Sequence, residues 1–114
     1  MKSAKYIEAP PISPGQVLKR RILKNDITQE ELALAMRVSR ISINQIINGR
    51  RSITADMALR LARVTGTTPF FWLNLQRDVD LYEAKRKLGK DIQRLTILRR
   101  PPTEAELFAE AQEA

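Results

Sequence analysis

Between Val38 and Arg51 the chain reads VSRISINQIINGRR, a stretch with three arginines, three carboxamides, two serines and no acid. Guanidinium and amide groups offer hydrogen bonds in fixed planar pairs. Arg reads guanine in this way, and Asn or Gln reads adenine, at base edges in the major groove of DNA. Ile43, Ile46 and Ile47 recur at helical spacing in the same stretch, so a helix here is apolar on one side. Its other side presents Arg40, Ser42, Asn44, Gln45 and Asn48. Little other chemistry is on offer. With neither Cys nor His, disulfides, thiol or imidazole nucleophiles and His- or Cys-ligated zinc are excluded. Asp78, Asp80 and Glu83 invite a reading as acid–base or metal-binding carboxylates. Asp78 and Asp80, however, fall on different faces of a helix, and the group reads as a solvated surface. No cofactor and no enzymatic activity are expected.

A chain of 114 residues with 43% apolar content can build one modest core, hence a single globular domain. Lys and Arg number 20 against 13 Asp and Glu, a net charge of +7. Residues 101–114 hold four of the acids and no base, so residues 1–100 carry +11. Such a body attracts polyanions, although charge of this size also serves solubility. No apolar run approaches the roughly 18 residues of a membrane helix, and MKSAKYIEAPPISPG lacks the apolar centre of a signal peptide. The expectation is a cytoplasmic protein that does not enter a membrane.

The elements that position these groups are helices. Residues 1–12, with Pro10 and Pro11, are expected to form an extended, mobile arm. From Ser13 the chain gives a capping box with Gln16, Pro14 at the first helical position, and Val17, Leu18, Ile22 and Leu23 as an inner face running to about Lys24. A second box, Thr28 with Glu31, opens a second helix whose Leu32, Ala33 and Met36 face inward. Ser39 caps the third, which Gly49 stops. Thr54 caps the fourth, Gly66 closes it, and Met57, Leu59, Leu61, Ala62 and Val64 are available for the core. A fifth begins near Pro69.

No run alternates as a strand does, so the fold is expected to be all-α. Residues 13–86 form the domain and residues 87–114 an extension. In that extension a basic amphipathic stretch is weakened by Gly89. An acidic tail follows with a capping box from Thr103 to Glu106, on a segment shorter than the roughly 12 residues an isolated helix needs. That tail is expected to fray unless something binds it.

Two short helices that cross steeply need a small residue at their contact, apolar residues at fixed offsets and a tight turn. Counting from Gln29, Leu32, Met36, Val38, Ile43 and Ile46 supply the apolar offsets and Ala33 the close approach. Arg37 stands where such turns commonly hold Gly, so it either accepts a positive φ or the turn differs. The segment TQEELALAMRVSRISINQIINGRRSIT resembles the helix-turn-helix of the phage repressor and Cro family. With PGQVLKRRIL ahead of it, ITADMALRLARVTGTTPFFWLNLQ behind it, and FWLNLQ above all, residues 10–85 resemble the HigA, or VapI, antitoxins. The resemblance implies a five-helix, lambda-repressor-like domain. It also implies a homodimer on a palindromic operator in its own promoter and the neutralisation of a ribonuclease, HigB.

Arg40, Ile41 and Ser42 lie in the N-terminal part of the third helix, which enters the groove deepest, and are the first candidates for base contacts; Asn44 and Gln45 follow. Ile41 suits a thymine methyl. By resemblance, Gln29, Asn48, Arg50 and Arg51 hold the phosphate backbone. Thr28 and Thr54, beside unpaired N–H groups at helix starts, are further phosphate candidates.

The segment TPFFWLNLQRDVDLYEA concentrates four of the six aromatic residues. Its apolar arc is wider than one stripe, which suggests two buried surfaces. Phe70, Phe71, Trp72, Leu75, Val79 and Tyr82 are therefore expected at a dimer interface, the alternative being that all are internal core. Glu104, Glu106, Glu110 and Glu113 around Leu107 and Phe108 suit a basic groove on a toxin, with the first helix and the flank of the fifth as competing contact sites. Two other functions fit the same residues: a stand-alone regulator without a toxin, and a module that binds RNA or an acidic protein without sequence preference.

Overall fold

The computed structural model of the protein describes residues 9–98 and 101–113. Of the arm expected over 1–12, residues 1–8 lie outside the described residues. The order of elements is α1 (Pro14–Val17, continued irregularly by Leu18–Ile22 and Leu23–Asn25), α2 (Gln29–Met36), α3 (Arg40–Ile47), α4 (Ala55–Thr65) and α5 (Pro69–Leu88). A tight turn, Gly89–Arg94, and α6 (Glu104–Glu113) complete it. No strand is present among the described residues. The fold is all-α, a five-helix, lambda-repressor-like helix-turn-helix domain with a helical C-terminal extension.

Local chemistry explains where the helices start. Gln16 N–H donates to Ser13 Oγ at 3.2 Å while Ser13 N–H donates to Gln16 Oε1 at 3.0 Å. Thr28 and Glu31 repeat the exchange at 2.9 and 3.0 Å. Ser39, Thr54 and Thr68 each accept one backbone N–H from the first turn of α3, α4 and α5. Each cap satisfies a donor that the helix itself leaves unpaired.

The first helix is less regular than its sequence suggests. Past Val17 its turns widen, and Leu23 N–H bonds the carbonyl of Leu18, five residues back. The cause lies in the spacing. Val17 and Leu18 recur as Ile22 and Leu23 after five residues, and only a wide turn brings both pairs onto one face. All four then reach the core.

The core gathers Leu18, Leu32, Met36, Ile43, Ile46, Leu61 and Trp72 from α1 to α5, all almost completely buried. Ile53, in the loop before α4, joins them. Two expected members do not. Leu59 is 61% exposed and Val64 is 37% exposed. Met57, Ala58, Leu61 and Ala62 define the buried stripe of α4. Leu59 stands two residues from both Met57 and Leu61, about 200° around the helix, and so faces outward.

α5 ends at Leu88, with Gly89 at φ 53° and ψ −127°, a conformation glycine enters without steric penalty. The tail, expected to fray, is helical over Glu104–Glu113. Its capping box is formed, with Thr103 N–H donating to Glu106 Oε1 at 3.1 Å. Hydrogen bonds from the Thr103 backbone, and then from its side chain, hold the Glu106 carboxyl below its ordinary value.

Gly15 is demanded by packing rather than by its own helix. A Cβ at this position would collide with the Ile46 carbonyl oxygen and come within 2.6 Å of that of Ile47. The first turn of α1 therefore rests directly on the last turn of α3. Gly15→Ala is expected to lower unfolding free energy by about 1–3 kcal/mol, the usual cost of overpacking, measured as a fall in urea midpoint at unchanged slope.

Candidate nucleic-acid interface

α2 and α3 meet through Ala33, which is buried, and the turn between them closes in the left-handed conformation. Arg37 has φ 58° and ψ 45°. Of the two outcomes open to this residue, it takes the positive φ. Val38 N–H then bonds the Ala33 carbonyl at 3.0 Å, ending α2 as a glycine would.

The strained turn has a brace that sequence reasoning missed. Arg60, on α4, donates from Nη1 to the carbonyl of Met36 at 2.8 Å and to that of Arg37 at 3.3 Å. Its Nε donates to Asp56 Oδ1 at 2.6 Å. One guanidinium thus satisfies carbonyls that the end of α2 leaves free and ties α4 to the turn before α3. The Asp56–Arg60 pair, four residues apart, was visible in the sequence. Its target on another helix was not.

At the far end of α3 a second brace acts. Gln76 of α5 accepts the Ile53 N–H at 2.8 Å through Oε1, and its Nε2 donates to Asp80 at 2.9 Å. The loop that carries Arg50 and Arg51 is thereby tied to α5. α3 is held by α2, by Gly15 and by these two links.

The structure gathers the expected base-reading residues on one outward surface. Ile41 is 69% exposed, Arg40 and Asn44 are exposed, and Ser42 and Gln45 are half-buried. Several are engaged with one another in the free protein. Arg51 Nε donates to Gln45 Oε1 at 3.0 Å, and Asn48 Nδ2 to Asn44 Oδ1 at 3.1 Å. Ser42 Oγ lies 2.9 Å from Ser39 Oγ. Arg40 Nε stands 4.0 Å from Glu30 Oε1 with both groups well exposed, a pair worth little in water.

Thr28, Gln29, Asn48 and Thr54 lie at the ends of α2, α3 and α4, and Arg50 and Arg51 in the loop after α3. The Thr28 N–H donates to Glu31, and the Thr28 and Thr54 hydroxyl oxygens accept the N–H groups of Glu31 and Met57, which leaves both hydroxyl protons and the unpaired first-turn N–H groups as donors there. Gln29 Oε1 is buried without a hydrogen-bond partner, so that oxygen is committed to no group of its own domain.

The residues expected at a dimer interface separate. Trp72 is wholly buried in its own domain, with Nε1–H donating to Thr67 Oγ1 at 2.7 Å, and is not free to meet a second chain. Leu75 packs against the same core, while Val79 and Tyr82 are half-buried. Phe71 remains 42% exposed, edge-on to Trp72, and Phe70 is 71% exposed. Leu81 and Leu88, on the side of α5 that Phe70 occupies, are exposed too. Among the described residues no helix is long and apolar enough to cross a membrane.

The crossing of α2 and α3, the closed turn and the outer side of α3, which carries no acid of its own, define a helix-turn-helix domain of the DNA-binding kind. The helix-turn-helix family description matches residues 18–73. The helix-turn-helix-type transcriptional regulator YbaQ of Escherichia coli K12 is 43% identical over 79 residues, covering 68% of this chain and 70% of YbaQ. Antitoxin HigA-1 of Vibrio cholerae is 42% identical over 82 residues, 71% of this chain and 77% of HigA-1. The solved structure of Pseudomonas aeruginosa antitoxin HigA with the higBA promoter is 37% identical, covers 79% of this chain and 99% of that one, and superposes with a TM-score of 0.72. The chain belongs to the HigA family of helix-turn-helix antitoxins.

The brace on the turn can be measured alone. Arg60→Ala removes charge-assisted bonds to two carbonyls and is expected to cost about 1–3 kcal/mol in denaturant unfolding. Asp56→Ala, which leaves those carbonyl bonds in place, should cost less.

Proposed function

We propose that the protein is an antitoxin that binds a palindromic operator as a homodimer, represses its own operon and neutralises a HigB-like ribonuclease in the cytoplasm. The observation that carries the DNA half is the outer surface of α3. Arg40, Ile41, Ser42, Asn44 and Gln45 stand together on a helix braced at both ends, with no acid on the helix itself. The Pseudomonas aeruginosa relative solved with the higBA promoter supports DNA binding by this domain. In this reading Arg40 contacts guanine, Asn44 and Gln45 contact adenine, and Ile41 meets a thymine methyl. Thr28, Gln29, Asn48, Arg50, Arg51 and Thr54 set register on the phosphates. Arg51 then exchanges Gln45 for a phosphate, which frees the Gln45 amide for a base.

Dimerisation follows from the apolar side of α5 that its own core leaves uncovered, Phe70, Leu81 and Leu88, with Phe71 and Tyr82 at its margin. A two-fold pair places two copies of α3 in successive major grooves, about 34 Å apart. The toxin contact is supported by the family and not by charge, because a +11 body repels a basic ribonuclease. That contact is therefore largely apolar and shape-matched, or made by the acidic tail. The similarity to the transcriptional regulator YbaQ favours, as a second reading, a regulator that acts without a toxin.

Binding to specific and random duplexes over a range of salt separates the roles. Arg40→Ala should cost roughly 1–3 kcal/mol on the operator and relax base preference, whereas Arg51→Ala should weaken all duplexes alike and lower the salt slope by about one. Equal losses on both duplexes at unchanged slope would refute this placement of α3.

Co-expression with the neighbouring reading frame, only one protein tagged, tests the antitoxin half. A small basic ribonuclease should co-purify. If the neighbour is no such protein, or does not co-purify, the stand-alone regulator is the correct reading.

A further inference from the structure

The chain carries two surfaces that its own fold leaves unused, and they are complementary. The first is a groove of about 550 Å³ between α1 and the start of α5. Val17, Ile22, Phe71 and Leu75 form its apolar floor, and Arg20 and Arg21 stand among its lining residues. Both arginines are exposed, neither forms an ion pair with a described carboxylate, and no acid lines the groove.

The second is α6. It is a ten-residue helix in which Glu104, Glu106 and Glu110 accompany Leu107 and Phe108, with no base. Leu107 and Phe108 are 51% and 65% exposed, and every residue of α6 whose side chain is described lies open to solvent. A helix this short holds in water only when a surface covers its apolar side. A surface that suits it is apolar at its centre and basic at its rim.

We infer that α6 of one copy docks, apolar side down, in the α1–α5 groove of a second copy. Leu107 and Phe108 cover Phe71 and Leu75 there, and the glutamates meet Arg20 and Arg21. The inference rests on the proposed homodimer. A second copy is the occupant for two reasons. α6 lies open rather than folded onto its own groove, and a two-fold pair exchanging tails fills both grooves and covers both helices. Residues 95–103, between the Gly89–Arg94 turn and α6, give the tail its reach, since an extended chain spans about 3.3 Å per residue. The charge pairs at the exposed edge are screened by salt while the apolar contacts at the centre are not, so the docking weakens as salt rises.

The natural absence of cysteine makes the test clean. A nitroxide is placed on Ala109→Cys in chain of natural isotope content, which is mixed with nitrogen-15-labelled wild-type chain, and amide broadening is recorded in the labelled copy. Broadening is expected at Val17, Arg20, Arg21, Phe71 and Leu75. It should vanish when the labelled copy carries Arg20→Glu and Arg21→Glu, or when the nitroxide copy carries Leu107→Ser and Phe108→Ser, and should fade as salt rises. Circular dichroism of each variant checks that the five-helix domain is intact, and a variant that loses it is replaced by the single substitution. No broadening, broadening confined to other surfaces, or broadening seen only when both labels share one chain overturns the inference. Light scattering on the same samples keeps the two readings apart. A dimer without groove broadening defeats tail exchange alone, while a 13 kDa monomer defeats the homodimer and the exchange together.

Discussion

The backbone contact between α1 and α3 is the constraint on which the molecule turns. Gly15 sits against the last carbonyls of α3 so closely that no side chain fits between. Because that approach joins main chain to main chain, it leaves α3 little freedom to rotate or slide. The turn ahead of α3 is fixed from the other side by the Arg60 guanidinium on the carbonyls of Met36 and Arg37. For the base reading we propose for α3, the pairing of side chains with base edges tolerates little displacement, so rigidity at both of its ends is the physical requirement.

The core itself is apolar. No polar or charged residue is buried among the described residues, and the core is closed by Leu, Ile, Met, Ala and one Trp. The domain spends its few strong hydrogen bonds on caps and on two braces rather than on an internal site. The groups of the outer face of α3 bond to one another in the free protein. Such exposed bonds exchange readily for others because their net worth in water is small.

α5 divides its faces between two tasks. Trp72, Leu75 and Gln76 turn inward, to the core and to the Ile53 N–H, whereas Phe70, Leu81 and Leu88 turn outward. This division explains why one segment holds so many of the aromatic residues. Gln76 also ties α5 to the loop bearing Arg50 and Arg51.

How much of this was legible in the residues themselves can be judged position by position. The caps at Ser13, Thr28, Ser39 and Thr54, the glycine stops, the inward faces of α2 and α3 and the polar outer side of α3 were all readable, because each depends on side chains within one turn of one another. The outward turn of Leu59 was not readable, since apolar residues flank it on a crowded helix and only packing selects which stripe is buried. Nor was the burial of Trp72, where an interface and a core call for the same residue. The irregular first helix lay hidden in a five-residue spacing that becomes meaningful only beside a core. The need for glycine at position 15, the grip of Arg60 on the α2–α3 turn and the tie from Gln76 to Ile53 join residues 23 to 32 positions apart in the chain. Local pattern and propensity determined the helices and the chemistry on their surfaces. Tertiary structure alone decided which distant groups hold α3 in place, because a contact between separate helices depends on their relative placement and leaves no periodic trace in the sequence.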